Sequence, residues 1–238
     1  MQRLWVATFT VLAAAGLTTA PSATAPRASA TDLTILTEAS LQQYRALRRM
    51  HARTENMNHE GWMDAWTELD GRGFRYQVVS ERGSGTIRGR VLKAVLERER
   101  ELVASGETER SALTPANYEF SAETAGPNCR YIMITPKRKD VLLVDGRIVM
   151  SEDGREMLRV EGVLAKNPSF WTSSVYVIRH YARIDGIRVP VGTESIAKVK
   201  FAGLSKLNVE YQYETINGRP VTLEARRQPT PTLISRTP

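Results

Sequence analysis

Cysteine is almost missing from this chain. The 238 residues hold one, Cys129, so no internal disulfide can form and no cysteine-based metal cage is available. We read Cys129 as a small hydrophobe buried in a strand. Histidine is scarce as well. His51, His59 and His180 are the full set, and His59-Glu60 has no second histidine one helical turn on, so the zinc-protease signature is absent. No G-x-S-x-G elbow occurs. Gly83-Ser84-Gly85 precedes a helical segment, where its amides could meet an anion, but it lacks the spacing and lysine of a P-loop and reads as a strand-to-helix joint. Glu152 and Asp153 sit in an apparent turn and read as solvated. The sequence therefore predicts no catalytic residue, no metal and no cofactor. There is also no run of five like charges, so the net charge of +7 is dispersed. A dispersed charge argues against a nucleic-acid partner and suits an anionic membrane surface.

Long apolar runs are missing beyond the first residues. Met1-Gln2-Arg3 forms a short positive start, Leu4 to Leu17 carries no charge, and Ala28-Ser29-Ala30 supplies an A-x-A cleavage site. This pattern predicts a secretory signal peptide over residues 1–30, too short and wrongly flanked for a membrane span. Its removal takes away Arg3 and Arg27 and no acid, so +7 becomes +5. The periplasm is the expected destination, with full secretion as the alternative. Residues 31–222 are expected to fold as one monomeric domain, and residues 223–238, proline-rich and aperiodic, as a flexible tail.

What is present is mostly period two. The expected order begins with a helix at Ala39 to Met50, with Leu41, Tyr44 and Leu47 at helical spacing and Arg45, Arg48 and Arg49 facing water. Strands follow at His51 to Asn58, Gly61 to Leu69 and Phe74 to Val78. The longest helical segment is Thr86 to Ala104, with a stripe of Ile87, Val91, Val95 and Leu102 and a solvated face from Glu97 to Glu101. Beyond it lie candidate strands at Tyr118 to Ala122, Cys129 to Thr135, Val141 to Val144, Arg147 to Ser151, Met157 to Leu164, Ser174 to Ile184, Val189 to Ile196 and Leu207 to Ile216. Asp145-Gly146, Asp153-Gly154 and Asp185-Gly186 read as hairpin turns, and Asn217-Gly218 as a further turn. The stretch Lys166 to Val191 is a long hairpin entered through an aromatic knuckle, Asn167-Pro168-Ser169-Phe170-Trp171. Ten or eleven strands are too many for a flat open sheet. The expected fold is α+β: a strongly curved antiparallel sheet, an open half-barrel, with two helices plugging its concave face.

This order resembles the periplasmic lipoprotein-carrier fold, the group of the lipoprotein chaperone LolA, its outer-membrane acceptor LolB and the sigma-factor regulator RseB. Arg130 to Gly146 and the NPSFW loop also look like features of a narrower family of uncharacterised exported proteins. The resemblance implies an apolar ligand, a lipid or an acylated protein, held between sheet and helices. Aromatic residues able to line such a cavity are Trp62, Trp66, Phe74, Tyr76, Tyr118, Phe120, Tyr131, Phe170 and Trp171. Each has the simpler reading of a core residue. The alternative function is a module with a filled core that recognises an envelope protein or glycan.

Overall fold

A computed structural model describes residues 41–56, 59–200 and 202–222. The expected signal peptide and tail lie outside these residues. The chain begins with three long strands in a meander: β1 (Tyr44–Thr54), β2 (His59–Asp70) and β3 (Gly73–Gly83). Helix α1 follows as three consecutive segments, Gly85–Ile87, a π-helical Arg88–Leu92 and Lys93–Ala104. A 3-10 turn, Glu107–Ser111, leads to β4 (Tyr118–Phe120), β5 (Thr124–Gly126), β6 (Cys129–Pro136), β7 (Val144–Met150) and β8 (Met157–Leu164). The long pair β9 (Thr172–Ile184) and β10 (Ile187–Val199) comes next, then β11 (Gly203–Ile216) and the short β12 (Arg219–Pro220). All belong to one antiparallel sheet in the order β3-β2-β1-β11-β10-β9-β8-β7-β6-β4, with β12 on β11 and β5 on β6. The sheet is open: β3 and β4 stand at its two ends.

The sheet curls around α1. Val103 lies 3.9 Å from where a Cβ on Gly73 of β3 would stand. Its neighbour Leu102 belongs to one apolar cluster with Val144 of β7, Leu164 of β8 and Val175 and Val177 of β9. In pairing order β3 and β7 are seven places apart, about 34 Å in a flat sheet. Adjacent residues of one helix can meet both only if the sheet bends back, with α1 on its concave face. A larger cluster joins Ile87, Leu92, Val95 and Leu96 of α1 to β1, β2, β3, β10 and β11. A third, around Ile132, Ile134, Ile148 and Val160, covers the half formed by β6 to β8.

Several expectations are corrected. Tyr44 to Met50, within the segment expected as a first helix, belong to strand β1, and among the described residues α1 is the one long helix over the sheet. The helical spacing at Leu41, Tyr44 and Leu47 competes with a stricter alternation: Tyr44, Ala46, Arg48, Met50, Ala52 and Thr54 are all buried. β1 pairs along its length with β2 on one side and β11 on the other, and two full ladders outweigh the helical propensity of Leu, Arg and Met. Arg48 and Glu99, both expected in water, are 1% exposed. Asp145-Gly146 does not turn; it lies within β7, opposite Val163 and Gly162 of β8. A Cβ on Gly146 would stand 2.6 Å from the Gly162 Cα, so glycine is there for close strand approach. Asp185 and Gly186, by contrast, both take positive φ (48° and 80°), as a tight two-residue hairpin requires. Cys129 is a free thiol, half-buried rather than buried, at the start of β6.

Candidate functional site

The concave face carries a buried charge where α1 meets β1. Alternation along β1 aims Arg48 inward, and the register of α1 brings Glu99 down onto it. Arg48 Nη2 donates to Glu99 Oε1 at 2.8 Å and to the Tyr44 hydroxyl at 2.5 Å, while Nη1 donates to Glu99 Oε2. The Tyr44 hydroxyl donates in turn to Glu99 Oε1 at 3.2 Å. Aromatic rings enclose the guanidinium, with its carbon 4.8 Å from the Tyr211 centroid and 5.2 Å from that of Phe74. Burial pushes the Tyr44 hydroxyl pKa far up. Burial alone would depress Arg48, but Glu99 and the tyrosines more than offset it and hold the guanidinium charged. A second tie lies nearby, where Tyr76 donates to Glu97 of α1; burial and that bond raise Tyr76 to about 12. The helix is therefore fastened to the sheet by polar bonds inside an apolar frame.

Beyond α1 the concave face holds a small pocket of about 30 Å³, lined by Ser111, Leu113, Tyr118, Val144, Val160, Val177, Arg179 and Tyr181. That is room for about one water molecule. The Val144 amide donates to the Tyr118 hydroxyl at 3.1 Å, and burial raises Tyr118 to about 12. Arg179 is 5% exposed, so the pocket joins aliphatic walls to a buried cation.

The outer face is built differently. Trp62 of β2 stacks on His51 of β1 (centroids 4.8 Å apart, planes 9° apart) and lies under Arg82 of β3, 4.5 Å away. These residues, with Arg49, Asp64, Ser80, Asn208 and Glu210, line a groove of about 530 Å³. Trp66 lies under Arg45 at 4.6 Å, and Tyr131 under Arg147 at 4.6 Å. Glu161, 5% exposed, anchors that second half through Arg159 Nε at 2.6 Å and Arg147 Nη2 at 2.5 Å. Burial opposes its ionisation, but the two guanidiniums hold its pKa below the usual carboxylate range.

The nine aromatic candidates thus do not converge. Phe74, Tyr76, Tyr118 and Phe120 lie on the concave side, but Phe74 and Tyr76 pack with the α1 cluster and Tyr118 and Phe120 with the β6–β8 cluster. Trp62, Trp66 and Tyr131 face outward. Phe170 and Trp171 meet edge to face in the loop before β9, centroids 5.6 Å apart. Of the nine, Tyr118 alone lines the inner pocket and Trp62 alone the outer groove. Sequence reasoning missed Arg48, Glu99, Arg179 and Tyr181. The available signal was parity: Arg48 sits in step with Ala46 and Met50, and Arg179 in step with Val175 and Val177.

Among known proteins, the chain is similar to a solved structure of a DUF1329 family protein from Desulfovibrio piger, at 12% identity and a TM-score of 0.32, covering 76% of this chain and 89% of that one. No protein-family model and no curated protein matches the chain.

Proposed function

We propose that the protein binds an acyl-chain amphiphile on the concave face, under the segment that follows α1, in the cell envelope, as a sequestering or carrier protein. The observation that carries this reading is the inner pocket: Leu113, Val144, Val160 and Val177 form an apolar slot and Arg179 supplies a buried cation at its side. An acyl chain suits the walls, and an anionic head group suits the guanidinium. The driving force would be burial of methylenes, about 0.8 kcal/mol each. At about 30 Å³ the pocket is closed to such a chain, so uptake needs α1 or the segment after it to swing away. A helix fastened by a buried ion pair fits that role, because such pairs gain little over apolar packing and are best attested as switch or register devices.

A second reading rests on a different observation. The outer groove of about 530 Å³ mixes cations, carboxylates, amides and one indole edge, which favours a polar ligand such as a glycan or a protein segment. Native mass spectrometry of the protein purified from an exporting host, followed by lipid extraction, separates the two. Co-purifying lipid or fatty acid supports the first; its absence, together with failure to bind an apolar fluorescent probe, removes it.

A further inference from the structure

The loop between β8 and β9 and the turn between β10 and β11 meet at one end of the sheet. The Lys200 amide donates to the Trp171 carbonyl at 2.8 Å, and the Lys200 ammonium stands 4.1 Å over the Phe170 ring. Phe170 is 79% exposed, the most exposed large hydrophobic side chain among the described residues. Lys166 in that loop and Lys198 near the end of β10 are exposed as well, and residues 165–171 and 198–203 include no aspartate or glutamate. The outer face of the same strands also carries an exposed apolar row. Val163 pairs with Tyr176 and Tyr176 with Ile196 across β8, β9 and β10, and all three are exposed (41%, 38% and 36%). Asp145 flanks this row beside Val163, and Lys206 closes it beside Ile196.

An exposed phenyl ring under one ammonium, with two more exposed lysines close by in sequence or strand and an exposed apolar row on β8 to β10, is a poor surface to leave in water. It matches a bilayer interface, where aromatic rings settle at the head-group level and ammonium groups meet anionic lipids. We propose that this end of the sheet docks the protein onto an anionic lipid bilayer, with Phe170 entering the interface and Lys166, Lys198 and Lys200 contacting head groups. The surface stands independently of what α1 covers. It does lie next to it: Leu164, just before the loop, shares a cluster with Leu102 near the C-terminus of α1.

The test is a local one. In the full chain, Cys129→Ser with Ser173→Cys places a polarity-sensitive dye beside the loop, and vesicles of phosphatidylcholine with or without phosphatidylglycerol are titrated in. The dye should shift on phosphatidylglycerol vesicles, and the shift should fade with added salt. At about fivefold per lysine, Lys166→Gln/Lys198→Gln/Lys200→Gln should weaken binding about a hundredfold. Phe170→Ser should weaken it about tenfold without changing the salt dependence. Circular dichroism checks that each variant folds; all four sites are exposed. The proposal is overturned by a dye that does not respond, by equal response to phosphatidylcholine alone, or by a triple variant that binds like the parent. Loss of docking with retained binding of an apolar probe, or the reverse, tells failure of this proposal from failure of the acyl-chain reading.

Discussion

Replacing Arg48 by Met leaves the Glu99 carboxylate 1% exposed with only the Tyr44 hydroxyl to bond it. An ion stranded in this way costs about 3–5 kcal/mol, a large part of the stability of an ordinary domain. Arg48→Met should therefore lower the urea midpoint sharply. Glu99→Leu should do the same by stranding a guanidinium whose Nε already lacks a hydrogen-bond partner. Removing both charges is a different perturbation. The triple variant Tyr44→Phe/Arg48→Met/Glu99→Leu leaves no polar group behind and fills the same space. Its stability should return to within about 1 kcal/mol of the parent or exceed it. The cycle is read by urea denaturation of the full chain followed by tryptophan fluorescence. Arg48→Met alone should also speed entry of an apolar fluorescent probe, because α1 is held less firmly. A single-variant cost below about 1 kcal/mol, or costs that simply add in the triple variant, would refute the reasoning.

Other outcomes follow from the same geometry. Tyr76 and Tyr118 are raised to about 12, so above pH 10 the unfolded chain loses their protons first. Stability present below pH 10 should fall between about pH 10 and 12, by about 2–3 kcal/mol for Tyr118; denaturation midpoints across that range should show it, and Tyr118→Phe should shrink it. Gly162→Ala places a Cβ 2.3 Å from the Asp145 carbonyl oxygen and should cost about 3 kcal/mol by forcing β7 and β8 apart. Trp62→Ala removes stacking with His51 and Arg82 on the outer face, worth about 1 kcal/mol, and should leave apolar-probe binding unchanged.

β6 and β8 to β11 were legible because each face keeps one character, whereas Asp145-Gly146 inside β7 imitates a turn. In β11, Leu207, Val209 and Tyr213 are buried while Asn208 and Glu210 face outward, so alternation locates the strand. α1 was legible from its stripe. β1 was not, because its inward row contains Arg48 among Ala46, Met50 and Ala52, and an arginine in an apolar row reads as a solvent position until its partner is known. That partner, Glu99, sits in an EREREL run that looks like a solvated helix face. Each residue hides the other: the pair is interpretable only once the topology brings α1 onto β1. The aromatic candidates spread over both faces for a related reason. Trp62 and Trp66 share a parity, but nothing local says that the face they share is the one covered by arginines rather than by the helix.

An apolar site on the concave face, covered by the segment after α1, is the central claim. The most direct measurement is titration with a fluorescent fatty acid of the parent chain, of Val177→Phe, which fills the inner pocket, and of Trp62→Ala, which alters the outer groove. Saturable binding weakened by about tenfold or more in Val177→Phe and unchanged in Trp62→Ala is the predicted result. No binding by the parent, or binding that ignores Val177→Phe and falls with Trp62→Ala, would contradict it.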